Sequence, residues 1–260
     1  METIQVSAII PARMGSSRFP GKPLLSVRGL PMVEHVRRRA VLSRAFARVV
    51  VATCDREIAE VVTAHGGAVV MTSSAHQAAT DRVAEAMRSV DGSHVVNVQG
   101  DELLVLPEDL ARMVAAISAG PAGSAWNAVA AIEREEELRD PSVVKCVVSR
   151  SERILFCSRD FSGLPFRNGG FEPVRRILGI LAYSRIFLER YGAMARTPLE
   201  LLESIDQSRI VEHDVHLQGV AFRHGYPGIN EPREVDMVER ILDEDGRQRD
   251  VLASVLKGVS

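Results

Sequence analysis

Pro11-Ala12-Arg13-Met14-Gly15-Ser16-Ser17-Arg18-Phe19-Pro20-Gly21-Lys22-Pro23 follows directly on the apolar run Val6-Ser7-Ala8-Ile9-Ile10, and the junction decides the fold. A short continuous apolar run reads as a strand buried in a parallel sheet. The loop leaving the carboxyl end of such a strand faces the ligand crevice of an open α/β sheet. Here that loop carries three cations, two glycines and two hydroxyls. Glycine lets backbone amides approach phosphate oxygens. Arg13, Arg18 and Lys22 bring enough charge to neutralise a triphosphate and the charge that develops on a leaving pyrophosphate. The stretch reads as a polyphosphate site, because a merely solvated basic loop does not call for this density of Gly, Pro and cations.

Outward from the loop, short apolar runs alternate with amphipathic stretches. The pattern predicts a strand at 6–10, a helix over 31–44, a strand at 48–53 and a helix over 55–65, the βαβ rhythm. Pro31 suits a first helical turn, and Met32, Val33, Val36, Ala40 and Val41 form an apolar stripe that reads as core. A strand at 68–71, a helix over 79–89, a strand at 95–98 and a helix over 107–119 closed by Gly120-Pro121 continue the rhythm. Beyond a linker at 120–123 the chain turns β-rich, with strands predicted at 125–132, 143–149, 154–158 and 177–183 and a candidate mobile loop at 163–170. A helix is predicted over 198–211 with Leu199, Leu202, Ile205 and Ile210 on one side, and 234–256 reads as mostly helical. The expected fold is α/β and Rossmann-like, with a mostly parallel central sheet flanked by helices. One domain is expected over 1–260, with a smaller β-rich excursion at 125–190.

Composition narrows the partners. The 260 residues are 46% hydrophobic and carry a net charge of −2 with both signs mixed, which leaves no basic field suited to a nucleic-acid backbone. Cys54, Cys146 and Cys157 are widely spaced and none belongs to a C-x-x-C pair. That spacing argues against a disulfide framework and a zinc ribbon, and fits a reduced cytoplasm. No cationic segment followed by an apolar one opens the chain, and no apolar run reaches the length of about eighteen residues that a membrane span needs, so a soluble protein is expected.

Asp101 follows the strand at 95–98 after the tight exit Gln99-Gly100. Magnesium takes one or two protein oxygens plus phosphate and water, so a lone Asp near cations is enough to begin a metal site; the alternative is a turn or helix cap. The segment 73–82 sets hydroxyl, amide and guanidinium groups at a helix start, as a second wall for a nucleotide or simply as a capped surface helix. His213, His216 and His224 lack a Cys partner and H-E-x-x-H spacing, and read as solvated. Neither G-x-x-x-x-G-K-[ST] nor G-x-G-x-x-G occurs, which leaves a P-loop hydrolase or a dinucleotide dehydrogenase without support.

Together these residues resemble the 3-deoxy-manno-octulosonate cytidylyltransferase family, the CMP-Kdo synthetases, over most of the chain. The first loop matches the family's P-A-R-x-x-S-x-R-x-P-G-K-P. Val51-Ala52-Thr53-Cys54-Asp55 is similar to its V-A-T-D-D, residues 76–82 to its H-x-S-G-T-D/E-R, and residues 96–102 to its V-N-V-Q-G-D-E. Residues 140–145, Ser158-Arg159 and 199–209 match the stretches around its sugar site. The resemblance implies Mg²⁺-dependent transfer of a cytidylyl group from CTP to an acidic 3-deoxy-2-ulosonate by a cytoplasmic homodimer, dimerised through the excursion. It implies that Arg13, Arg18 and Lys22 hold the triphosphate, and that Pro11, Ala12, Gln77, Thr80, Arg82, Gln99 and Gly100 line the nucleotide. Asp101 and the residue at position 230 would ligate the metal. Arg159, Tyr183, Glu203, Asp206 and Gln207 would meet the acceptor.

The chain departs from the family pattern where specificity is decided. Asn230 stands where the family has a second metal-binding Asp, with Asp236 as an alternative ligand; an amide oxygen still binds Mg²⁺ with one charge fewer. Ala78-Ala79 replaces Ser-Gly, and Leu103 replaces Pro. Ile177 and Leu181 replace a His and a Tyr on the acceptor side. Sites for polyhydroxy acids discriminate through paired hydrogen bonds, so these losses bear on which acid fits. The alternatives are transfer to another acid, such as an amino-ulosonate, a sialic-acid-like sugar or a phosphonate, and a nucleotide-binding protein that has lost catalysis.

Overall fold

The apolar run at 6–10 extends two residues further, to β1 (Val6–Ala12), and pairs on both sides. In the computed structural model, which describes residues 4–15, 19–76, 78–120, 125–164 and 170–259, β1 lies parallel to β2 (Arg48–Thr53) and to β4 (His94–Val98). β3 (Ala68–Met71) adds to β2, also parallel, which gives the order β4-β1-β2-β3. The chain steps outward from β1 to β3 and then crosses back to β4. The strand order thus reverses between β1 and β4, and ligands of open α/β sheets bind outside the carboxyl ends of strands at such a point. The loops beginning at Arg13 and Gln99 leave these two ends.

These strands belong to the first of two compact units, Met1–Ala115 with Tyr226–Ser260; the second is Ala116–Gly225. The helices of the first unit include α1 (Met32–Leu42), α2 (Arg56–Ala64), α3 (Ala79–Met87), α8 (Val235–Glu244) and α9 (Gly246–Leu256), while α4 (Pro107–Ala119) runs across the division. α1 carries the expected stripe, with Met32, Val33, Val36 and Ala40 buried, but its polar face is buried too. Glu34 accepts from Arg37 at 2.6 and 2.8 Å and from Arg38 at 3.0 Å. Arg37, Arg38 and Arg39 then donate to the carbonyls of His65, Val255 and Val105. α9 packs over this face, a partner some two hundred residues away in sequence that no helical periodicity announces. His35 Nε2 donates to Val27 O at 2.8 Å, and burial pulls its pKa down to about 4.

The second unit is a mixed sheet of order β9-β5-β8-β6-β7, formed by β5 (Ala125–Ala131), β6 (Lys145–Val148), β7 (Ile154–Ser158), β8 (Val174–Ser184) and β9 (Leu217–Ala221). β9 runs parallel to β5, and the other pairings are antiparallel. The expected excursion at 125–190 falls inside this unit, which continues to Gly225 because β9 joins β5. Cys146 and Cys157 face each other across β6 and β7, and burial pushes the Cys157 thiol up to about 12 and Cys146 higher still, so neither is poised to ionise. Trp126 is core, as expected.

Two sequence expectations are corrected here. The helix over 198–211 is two helices, α6 (Pro198–Glu203) and α7 (Asp206–Glu212), separated at Ser204, whose φ of 54° is left-handed. α6 faces the interior with Glu200 rather than with its leucines, and Leu202 is 80% exposed. The buried carboxylate decides the orientation, since it accepts from Arg209 Nε at 2.8 Å, Arg196 Nε at 3.0 Å and Thr197 N at 3.3 Å. Between β8 and α6 lies α5 (Arg185–Tyr191), capped by Ser184, which the sequence reading does not contain. The segment 234–256 breaks at Asp245, which caps α9 by accepting from Arg247 N and Gln248 N. Residues 121–124 of the linker and 165–169 of the candidate mobile loop lie outside the described residues. No helix among the described residues is long and apolar enough to cross a membrane.

Removing one partner from a buried ion pair leaves an uncompensated charge, which costs about 3 kcal/mol. Glu34→Ala is therefore expected to lower the unfolding free energy read from urea denaturation by that amount, and a value equal to wild type would refute the packing described for α1.

Candidate functional site

The loop after β1 is pinned at both ends. Met14 N donates to Asp55 Oδ2 at 2.8 Å, and Gly21 N returns to Met14 O at 3.0 Å. Gly21 has φ of 74°, a left-handed conformation that disfavours side chains, so glycine is required at the turn. Pro11 is half-buried and Ala12 buried, while Arg13 is exposed with no ion pair or hydrogen bond among the described residues. Arg18, with Ser16 and Ser17, lies outside the described residues. Lys22 turns inward: its Nζ lies 3.4 Å from Asp101 Oδ2 and donates to Ile229 O at 2.9 Å.

Asp101 is held from several sides. A Cβ on Gly100 would lie 3.3 Å from Pro11 O, so the exits of β4 and β1 approach closely, and Gln99 O accepts from Glu102 N at 3.1 Å to close the turn. A Cβ on Gly228 would lie 2.8 Å from Asp101 O, which only glycine avoids without movement. Below the turn, Leu103 to Leu106 are buried, and Gln248 Nε2 and Arg39 Nη1 donate to the carbonyls of Leu104 and Val105 at 2.7 and 3.1 Å. Asp55, quoted above only within the V-A-T-D-D match, and Gly228, Ile229 and Gln248 are supporting positions to which the sequence alone gives no role.

The donor set at Asp101 fits a magnesium ion. Its Oδ1 has no partner among the described residues, and its Oδ2 meets only Lys22. Asn230 follows the carbonyl that Lys22 grips, and its turn is fixed by Glu234, which accepts from Asn230 N and Glu231 N. Among the described residues no three His, Cys, Asp or Glu side chains gather as a metal cage. A cation here would rely on few protein oxygens and on substrate, as Mg²⁺ does. Asp236 is exposed on α8.

In the segment expected as a second wall, Arg82 is 3% exposed and donates through Nη1 to Thr72 Oγ1 and Ser73 O, which braces that loop from within, and Thr80 is buried. Glu85 accepts from Ser73 N at 2.9 Å and from His76, and these bonds hold its carboxyl below the usual range. Gln77 lies outside the described residues, and Ala78, where the family has Ser, gives α3 no side-chain cap.

In the second unit, Ser158, Arg159 and Glu203 come together. Glu203 Oε1 accepts from Ser158 Oγ at 3.0 Å, and Oε2 from Arg159 N at 3.1 Å. The Arg159 guanidinium is committed to carbonyls, Glu203 O at 2.8 Å, Pro141 O at 2.6 Å and Ser204 O at 3.3 Å, and so acts as a brace rather than an open anion receptor. Gln207 is buried with Nε2 on Asn127 Oδ1 at 2.8 Å. Tyr183 is fully buried, stacked on Phe187 and beside Tyr191. Asp206 is half-buried, and its carbonyl accepts from Tyr191 OH at 3.3 Å.

Known proteins resemble the chain in sequence and in fold. A family profile described as Cytidylyltransferase matches residues 7–217. The chain is 40% identical over 259 residues to the 3-deoxy-manno-octulosonate cytidylyltransferase of Alkalilimnicola ehrlichii, covering 94% of this chain and 98% of that one. It is 35% identical over 247 residues to the 8-amino-3,8-dideoxy-manno-octulosonate cytidylyltransferase of Shewanella piezotolerans, covering 93% and 100%. Among solved structures it resembles a CMP:2-keto-3-deoxy-manno-octonic acid synthetase complexed with CTP, with a TM-score of 0.87, 33% identity and coverage of 93% and 99%.

A Cβ at position 228 must push the 228–230 turn off Asp101. Misplacement by about an ångström costs on the order of 10²-fold in turnover. Gly228→Ala is expected to show that loss with its circular dichroism spectrum unchanged, and wild-type turnover would remove Gly228 from the site.

Proposed function

The chain belongs to the cytidylyltransferase family, and we propose that it transfers the cytidylyl group of CTP to the anomeric hydroxyl of a 3-deoxy-2-ulosonic acid of the manno-octulosonate type. The observation that supports this reading is the pairing of Lys22 with Asp101 beyond the carboxyl ends of β1 and β4, in the loop that Arg13 begins. In the reaction the acceptor oxygen forms a bond to the α-phosphorus, the bond from that phosphorus to the bridging oxygen breaks, and pyrophosphate leaves with the electron pair. The hydroxyl proton is lost to solvent.

Such transfers depend on positioning and on charge placed where it develops. Arg13, exposed and unpaired among the described residues, binds the triphosphate, and Lys22 meets the charge that grows on the departing pyrophosphate. Asp101 and Asn230 would hold the divalent ion, which would supply neutralising charge to the triphosphate. Gly100 and Gln99 bring backbone close to the nucleotide, and the Ser158 and Glu203 side chains, braced by Arg159, meet the acceptor. The protein works as a soluble cytoplasmic homodimer.

Lys22→Ala is expected to lower kcat by ~10²–10³ in a pyrophosphate-release assay with CTP, Mg²⁺ and 3-deoxy-manno-octulosonate. Near wild-type release would contradict the role of Lys22. Supplying the 8-amino sugar in a parallel assay distinguishes the two acceptors named for the relatives, and the 8-hydroxy acid is expected to give the higher kcat/KM. Light scattering is expected to report a dimer, and a monomeric mass would remove that part of the reading.

A further inference from the structure

Lys145 begins β6 with its side chain fully buried, and its ammonium is saturated by backbone. Nζ donates to Asp140 O and Val143 O, each at 2.8 Å, and to Arg159 O. An ammonium has three donors, and all three are used. Two of the carbonyls belong to the turn leading into β6, while the third lies just past the end of β7, where Ser158 pairs with Lys145. Three carbonyl oxygens directed at one point repel each other unless a cation sits among them.

This clamp lies directly behind the Ser158, Arg159 and Glu203 cluster. The residue whose carbonyl Lys145 holds is the one whose amide binds Glu203 Oε2 and whose guanidinium braces Pro141 O, Glu203 O and Ser204 O. We propose that Lys145 is a positioning residue for the acceptor acid: by joining the Arg159 carbonyl to the 140–143 turn, it sets the place of the Ser158 hydroxyl and the Glu203 carboxylate. The proposal rests on the reading of that cluster as the acceptor site.

Burial pushes the Lys145 pKa down to about 8; Asp140, Asp160 and Glu203 favour its charge, and Arg159 opposes it. Arg176 lies on the Asp140 side. A neutral amine keeps two donors and turns a lone pair toward the third carbonyl, so one arm of the clamp fails as pH rises through about 8. Stability moves the other way. With the folded value below the ordinary 10.5, the unfolded chain binds more protons between about 8 and 10.5, and this lysine's contribution to stability rises with pH there. A loss of acceptor affinity in that window therefore does not follow from this lysine's contribution to stability.

Steady-state kinetics on the full-length protein test this, with CTP, Mg²⁺ and 3-deoxy-manno-octulosonate as substrates. Lys145→Met is expected to raise the acceptor KM about ten-fold while the CTP KM stays within about two-fold, and Lys145→Arg, which keeps the charge, to recover part of the loss. Wild-type acceptor KM is expected to climb from about pH 7.5 to 9.5 with the CTP KM level, and this profile decides the matter if Lys145→Met does not fold. An acceptor KM that is flat with pH overturns the proposal. Glu203→Gln separates the two claims. An unchanged acceptor KM there overturns the acceptor reading of the cluster; a raised one, beside an unchanged value in folded Lys145→Met, overturns the role of Lys145 alone.

Discussion

The Lys22 ammonium holds together three segments that are remote in sequence: the loop after β1, the carboxylate after β4 and the Ile229 carbonyl near the other end of the chain. Each reaches the meeting point only because backbone approaches backbone. Gly100 lies against Pro11 O, Gly228 lies against Asp101 O, and Gly21 turns the first loop back to Met14. With one cation and one carboxylate in contact, the site keeps its charges close and ordered; in the function proposed above, a polyphosphate and its metal would exchange partners with both. Electrostatic preorganisation of this kind is the largest single term in many enzymes.

The same device recurs away from the site. Arg37, Arg38 and Arg39 each reach a backbone carbonyl in another segment, Lys145 reaches three, and Arg159 reaches three more. A buried cation is costly unless paired and hydrogen-bonded, and here carbonyls at turns and helix ends supply much of the compensation. The consequence is functional as well as structural. Arg39 and Gln248 fix the carbonyls behind Asp101, and Lys145 and Arg159 fix the loops beside Glu203, so each of these two carboxylates stands on a braced turn.

Local pattern carried the reading where partners are local. The strands of the parallel sheet are continuous apolar runs, and the loop from Pro11 to Pro23 and the Asp101 exit are contiguous motifs, so both were legible. What escaped depends on distant partners. The charged face of α1 looks like a solvent face until α9 covers it. β9, with Gln218 and Gly219 among its five residues, has no clean alternation. Ser204 breaks a helix that the leucines alone would continue, because Glu200 claims the interior. Arg82, Tyr183 and Arg159 were legible as chemistry but not as position, since buried hydrogen bonds and ring stacking with other elements decide where those groups point.

A crystal of the protein grown with CTP and Mn²⁺ in place of Mg²⁺ tests the central claim most directly, because manganese is located by its anomalous scattering. The account predicts a metal peak within about 2.2 Å of an Asp101 carboxylate oxygen, with Lys22 Nζ turned from that carboxylate to the triphosphate. Nucleotide and metal bound elsewhere, with Lys22 still paired to Asp101 and Ile229, would contradict it.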